Sequence, residues 1–235
     1  MKVGHPARCL LHQTRVTEPT GPWPRPEPGH SYPKLPETKS LGAWRDAAAH
    51  CQACDLWKNA TQTVFGQGRR TAKVMLVGEQ PGDREDLAGK PFVGPAGRVL
   101  DKALANARID KDTVFLTNAV KHFKWHAAGK RRLHEKPNRT EVAACRLWLH
   151  AEIAILKPQV IVCLGAVAAQ ALISPSFKVT HQRGKLIPSS LAPHVMATVH
   201  PSSILRAPDD ASREREMKVF VADLRAVAKI IRGLD

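Results

Sequence analysis

The 235-residue chain predicts an α/β fold, a three-layer α/β/α arrangement around a central four-stranded parallel sheet. Three observations carry that prediction. Short apolar runs alternate along the chain with stretches of helical composition. The runs are continuous rather than alternating, as strands read when both sheet faces are covered. The runs give way to Gly78, Asn118, Gly165 and His200. The carboxyl ends of parallel strands are where such folds hold ligands.

The elements follow in order. Residues 1–39 carry 8 of the 18 prolines. Proline fixes φ and removes the N–H donor, so this segment is expected to be an extended or disordered tail. One folded domain is expected over residues 40–235. Ser40 is a candidate cap for a helix over 41–49. Lys73 to Gly78 is the first strand, Ala96 to Arg108 a helix, and Thr113 to Asn118 the second strand. Residues 119–139 read as a long basic connection. Asn138 and Glu141 form a capping-box pattern that opens a helix to about Lys157. Gln159 to Gly165 is the third strand, Ala166 to Ile173 a short helix, and His194 to Val199 the fourth strand. A last amphipathic helix, Asp210 to Gly233, sets Phe220, Leu224, Val227, Ile231 and Leu234 near helical spacing.

Hydrophobic residues make up 43% of the chain, which supports a core and excludes a wholly disordered protein. Lys and Arg total 36 against 21 Asp and Glu, a net charge of +15. Such a field attracts polyanions, chiefly nucleic acid. No apolar run approaches the roughly 18 residues of a membrane span. The N-terminus lacks the sustained apolar stretch of a signal peptide. The expected location is the cytoplasm, where thiols stay reduced. The 5 cysteines therefore suggest metal, cluster or catalysis before disulfides. Nothing in the sequence demands more than a monomer.

Three loops at strand ends concentrate the chemistry. The first, Gly78 to Gly97, has 5 glycines and 3 prolines, so its backbone is shaped for close approach. It does not match a phosphate loop, because 6 residues separate Gly82 from Gly89 and Pro91 stands where Ser or Thr is required. Its acids Glu79, Asp83, Glu85 and Asp86 suit a divalent metal, acid/base work or a solvated turn. The second loop carries 7 Lys/Arg and 1 acid from Lys121 to Arg139, with Phe123 and Trp125 interleaved. Basic residues there, including Lys121, Lys130, Arg131 and Arg132, would neutralise phosphates, and the aromatics offer stacking faces to unpaired bases. The third loop opens His200-Pro-Ser-Ser and runs to Arg206. His200 is well placed for a site, and Ser202 with the following amides suits a phosphate.

Cys51 and Cys54 form a CxxC, a chelate pattern, while Cys145 and Cys163 lie far along the chain. Spacing alone leaves zinc, an iron–sulfur cluster and, for Cys163, an inert core thiol all open.

The ordered set of these features resembles the uracil-DNA glycosylase superfamily. The set comprises CxxC, Gly-Glu-Gln-Pro-Gly, Pro-Phe-Val-Gly-Pro-Ala-Gly, Thr-Asn, Lys-Arg-Arg-Leu-His, two late cysteines and His-Pro-Ser. Within the superfamily it is similar to the iron–sulfur branch, and there to the UdgX type, which becomes cross-linked to its DNA. The resemblance covers about residues 40–232. Leu133 stands where that type usually has Ile, a conservative departure.

The resemblance implies that Cys51, Cys54, Cys145 and Cys163 ligate a structural [4Fe–4S] cluster. It implies that Phe92 stacks on a flipped uracil, Asn118 reads its edge, and His200 stabilises the leaving base. Gly78, Gln80 and nearby amides would shape the pocket wall. It implies that His134 is the nucleophile. Glu79 is then the expected group that orients His134, with Asp83 in support. The expected activity is excision of uracil from DNA, single-stranded DNA favoured, followed by capture of the abasic sugar on His134. Free uracil is the expected product. The rival readings are a multiple-turnover glycosylase, a non-catalytic single-strand-binding module and a redox cluster protein.

Overall fold

The computed structural model describes residues 36–233. Apart from residues 36–39, the expected tail lies outside the described residues, as do Cys9 and Leu234. The strands are β1 (Val74–Gly78), β2 (Val114–Asn118), β3 (Trp125–Ala128), β4 (Arg131–His134), β5 (Val160–Leu164), β6 (Leu186–Ile187) and β7 (His194–Thr198). The helices are α1 (Leu41–Ala49), α2 (Asp83–Ala88), α3 (Pro95–Ala107), α4 (Arg139–Leu156), α5 (Ala166–Leu172), α6 (Val179–Gln182), α7 (Pro201–Leu205) and α8 (Asp210–Arg232).

The central sheet has the order β2-β1-β5-β7-β6. Its first four strands are parallel, as expected, and β6 adds an antiparallel edge. A two-residue strand carries no periodicity, so the sequence could not announce it. Alternate residues divide between two cores. Met75, Val77, Ile161, Cys163, Val195 and Ala197 face α1, α4 and α5. Val74, Leu76, Val160, Val162, Leu164 and Met196 face α3, α7 and α8. Complete burial of each Val, Leu or Ile contributes about 1.5–3 kcal/mol, so both faces favour one register.

The helix starts follow local chemistry. Asn138 Oδ1 accepts from Glu141 N at 2.9 Å, and Asn138 N donates to Glu141 Oε2 at 2.6 Å, the reciprocal capping box. Asp209 caps α8 by accepting from Ser212 N at 2.6 Å. The acidic stretch after Gly82 is the short helix α2 rather than an open loop.

The basic connection also differs from its reading as a loop. Residues 125–134 form the hairpin β3–β4, pairing Trp125 with His134 and Ala128 with Arg131. The turn is Gly129-Lys130, and Gly129 takes φ +60°, a value that favours glycine. Phe123 is buried and unavailable for stacking on bases.

Lys121 corrects an expectation outright. It was read as a phosphate contact, but its side chain is wholly buried. Its ammonium donates to Glu152 Oε2 at 2.8 Å, Thr117 Oγ1 at 2.7 Å and the Asn118 carbonyl at 2.8 Å. Glu152 also accepts from Gly66 N at 2.9 Å and Thr117 Oγ1 at 2.8 Å. All three ammonium donors are used, which offsets the cost of burying the pair. The bond to Asn118 fixes the end of β2.

Removing one partner leaves the other charge buried. Glu152→Ala is expected to cost about 3–5 kcal/mol of stability, while Lys121→Met with Glu152→Leu recovers most of it. Denaturant unfolding of the full chain checks this. An unchanged midpoint in Glu152→Ala contradicts the role assigned to the pair.

Candidate active site and thiol pocket

The parallel register sets Gly78 beside Asn118 at the carboxyl ends of β1 and β2. A Cβ on Gly78 would lie 2.3 Å from Asn118 Oδ1 and 2.7 Å from Phe92 Cζ. Only glycine lets these side chains converge. Phe92 has φ +56°, a left-handed conformation that costs a residue with a Cβ roughly 1–2 kcal/mol. Gly97 packs against that bend, where any Cβ would meet the Phe92 carbonyl oxygen at 1.8 Å. The Phe92 and His200 rings stack with centroids 6.1 Å apart and planes at 28°. Gly78, Phe92, Asn118 and His200 therefore form one wall, though they come from four separated segments.

His200 Nδ1 accepts from Ser202 N at 3.1 Å and pairs with Ser202 Oγ at 2.8 Å. The backbone donor fixes Nδ1 as the acceptor, so the ring proton sits on Nε2. Burial pushes the His200 pKa down to about 4, with the nearby Glu79 carboxylate opposing and Arg206 and His134 assisting. The ring is thus a neutral N–H donor at pH 7. Ser202 does not offer the free phosphate donors read from the sequence, because both its donors serve His200. Arg206 donates to Ser202 Oγ at 3.1 Å and supports that arrangement.

The hairpin crosses the mouth of this wall. His134 Nε2 stands 3.4 Å from Glu79 Oε1, with His134 half exposed. The His134 ring lies 6.3 Å from the buried Phe123 ring. The structure thus brings together His134 from the end of β4, Glu79 from the loop after β1 and His200 from the turn after β7.

Two contacts hold the hairpin there. Gln80 Nε2 donates to the Lys124 carbonyl at 3.1 Å and the Glu135 carbonyl at 3.0 Å. Gln80 Oε1 accepts from Lys124 N at 3.2 Å. Gln80 therefore ties both strands' roots rather than lining a wall with its side chain. Arg132 donates through Nε to Asp83 Oδ1 at 2.6 Å and through NH1 to Asp86 Oδ2 at 2.7 Å. Its guanidinium also lies 5.5 Å from the Phe123 ring centroid and 5.4 Å from that of Trp125. Arg132 was read as a phosphate contact and Asp83 as a support for His134. Each instead has the other as its partner, and Asp83 acts on His134 only by anchoring its strand. Lys130 and Arg131 stay exposed at the hairpin tip.

Cys51, Cys54 and Cys145 are buried in the core beneath α1 and α4. Trp148 Nε1 donates to Cys51 Sγ at 3.2 Å, and Lys121 N to Cys145 Sγ at 3.4 Å. Contact with the Cys145 thiol, then the His122 imidazole, draws the Cys54 pKa down against the opposing effect of burial. N–H donors aimed at Cys51 and Cys145 suit thiolate sulfurs. Among the described residues, no group of three or more His, Cys, Asp or Glu side chains is arranged to hold a metal ion. Cys163 faces the same core from β5, but burial alone governs its thiol and pushes its pKa up to about 12. Sequence reasoning passed over His122, whose only signal was a histidine next to Lys121.

Comparison with known proteins agrees with this geometry. The family model of the uracil DNA glycosylase superfamily matches residues 65–225. The Type-4 uracil-DNA glycosylase of Pyrobaculum aerophilum is 37% identical over 166 residues, 68% of this chain and 81% of that protein. That of Thermotoga maritima is 35% identical over 174 residues, 74% of this chain and 84% of its own length. The Archaeoglobus fulgidus Type-4 uracil-DNA glycosylase is 33% identical over 165 residues, 67% of this chain and 79% of that protein. The matched span contains both strand-end loops, the hairpin and the His200 turn, and on these grounds the chain belongs to the uracil DNA glycosylase superfamily.

Proposed function

We propose that the protein excises uracil from DNA and is then captured on the abasic sugar by His134. The observation that carries this reading is the 3.4 Å approach of His134 Nε2 to Glu79 at the mouth of the Phe92–Asn118–His200 wall. Extruding a base from a duplex costs a few kcal/mol, which favours single-stranded substrate. The stacking argument for single strands is reduced to Trp125, since Phe123 is buried. Lys130 and Arg131 remain as phosphate contacts. Each phosphate neutralised on a single strand contributes a salt slope of about −0.7.

The chemistry balances as follows. The C1′–N1 bond breaks, and its electron pair leaves on uracil. The neutral His200 Nε2–H donates to the developing anion, and Asn118 bonds the base edge. Phe92 stacks on the flipped ring. The His134 lone pair then forms a bond to the cationic C1′. The imidazolium gives its remaining N–H proton to Glu79 or solvent, and uracil takes a proton from water. Cys51, Cys54 and Cys145 would hold a cluster that braces the fold, and no bond change is assigned to it. No helix among the described residues is long and apolar enough to cross a membrane.

A conventional multiple-turnover glycosylase is the second reading, favoured by the names of the Type-4 relatives. One variant separates the two. His134→Ser should still release uracil but form no adduct that survives denaturation, because water enters the vacated space. Glu79→Gln should slow adduct formation by about 10²–10⁴-fold if the carboxylate takes the proton. An unchanged adduct yield in His134→Ser rejects the capture scheme.

The pH response has a definite sign. A neutral His200 is the donor, and its pKa lies at about 4 rather than the ordinary 6.5. Single-turnover excision by His134→Ser is therefore expected to hold from pH 8 to about 5 and to fall below that as His200 takes up a proton. A loss of rate centred near pH 6.5 contradicts a neutral donor.

A further inference from the structure

We infer that Glu85 is a positioning residue for Phe92, an inference that rests on reading Phe92 as the ring that stacks on uracil. Phe92 sits in a left-handed bend, φ +56°, a conformation that persists only where its surroundings enforce it. Two residues later Gly94 N donates to Glu85 Oε1 at 2.7 Å, a buried bond at the short end of the normal range. The Glu85 carboxyl group is packed between two backbone segments. A Cβ on Gly82 would lie 2.7 Å from its Oε2, and one on Gly94 would lie 2.9 Å from its Oε1.

The start of α3 shows why this acceptor comes from α2. Gly94 is the N-cap of α3, and no side chain caps it. A capping box places the acceptor for the N-cap N–H three residues further on, as Glu141 does for Asn138 in α4. In α3 that position is Gly97, where a Cβ would meet the Phe92 carbonyl oxygen at 1.8 Å. The Phe92 bend therefore forbids the side chain that would close the box locally. Glu85 supplies the missing oxygen from another helix.

The same helix anchors the hairpin through Asp83 and Asp86, which hold Arg132. Its far end is fixed by Gln62 Nε2, which donates to the Asp86 and Leu87 carbonyls at 2.9 and 3.0 Å. Residues 83–86 thus set both the stacking ring and the strand that carries His134. Loss of the Glu85 contact should loosen the ring and leave the His134 strand in place.

The test uses the full chain and single-stranded DNA carrying one uracil. The single-turnover rate of uracil release and the fraction of release events that end in capture are recorded together. Glu85→Ala should slow release by roughly 10–10²-fold and leave the captured fraction unchanged. Glu85→Gln keeps an oxygen at the acceptor position and should recover the parent rate. Glu85→Asp, retracted by one methylene, should be slow while its circular dichroism matches the parent, which keeps the test decisive if Glu85→Ala does not fold. In Phe92→Ala the ring is gone, so adding Glu85→Ala should cost no further rate. Parent rates in Glu85→Ala and Glu85→Asp overturn the inference, as does a Glu85→Gln as slow as Glu85→Asp. Additive losses in the double variant also overturn it, because Glu85 would then act other than through the ring. A parent rate in Phe92→Ala alone would overturn the stacking reading itself, and the inference with it.

Discussion

The candidate site depends on a clamp between two segments that the sequence keeps about fifty residues apart. The loop after β1 and helix α2 supply Gln80, Asp83 and Asp86. The hairpin supplies Arg132 and two backbone carbonyls. A two-stranded hairpin is marginal by itself in water, so its geometry must come from what it docks against. Arg132 bridges two carboxylates with one charge-assisted bond to each, which gives direction as well as attraction. Asp86 is fully buried and also accepts from Thr61 N at 3.0 Å, so the anchor is rigid on the protein side. Because Arg132 and His134 share β4, the clamp sets where the imidazole stands relative to Glu79.

Beneath the clamp, polar groups are arranged so that each has one available role. Lys121 spends all its donors on Glu152, Thr117 and Asn118, which fixes the end of β2. Ser202 fixes the His200 tautomer and leaves Nε2–H as the donor. Burial keeps that ring neutral, so it can stabilise a departing anion without first losing a proton. Gly78 and Gly97 remove the atoms that would separate Asn118 and Phe92. The site is built by satisfied hydrogen bonds and missing side chains, and Lys130 and Arg131 hold their charges at the exposed hairpin tip.

Much of the scaffold was legible in the chain. The four parallel strands are buried on both faces, so their apolar runs were continuous and easy to place. The Asn138–Glu141 box and the Ser40 cap are local chemistry and could be read locally. The hairpin was not legible, since its strands are short, exposed and basic, with no apolar alternation. Lys121 and Arg132 looked like phosphate contacts because charge alone says nothing of a partner 31 or 46 residues away. Ser202 was misread for a related reason: its donors are consumed within its own turn.

The most direct test of the account is the stoichiometry of the parent protein on end-labelled single-stranded DNA carrying one uracil, with a thymine control. Free uracil and the protein–DNA band that survives boiling in detergent are counted in the same reaction. The account predicts one uracil released per captured chain, a halt at that point, and the DNA attached to the peptide containing His134. Many uracils released per chain, with no surviving band, would contradict it.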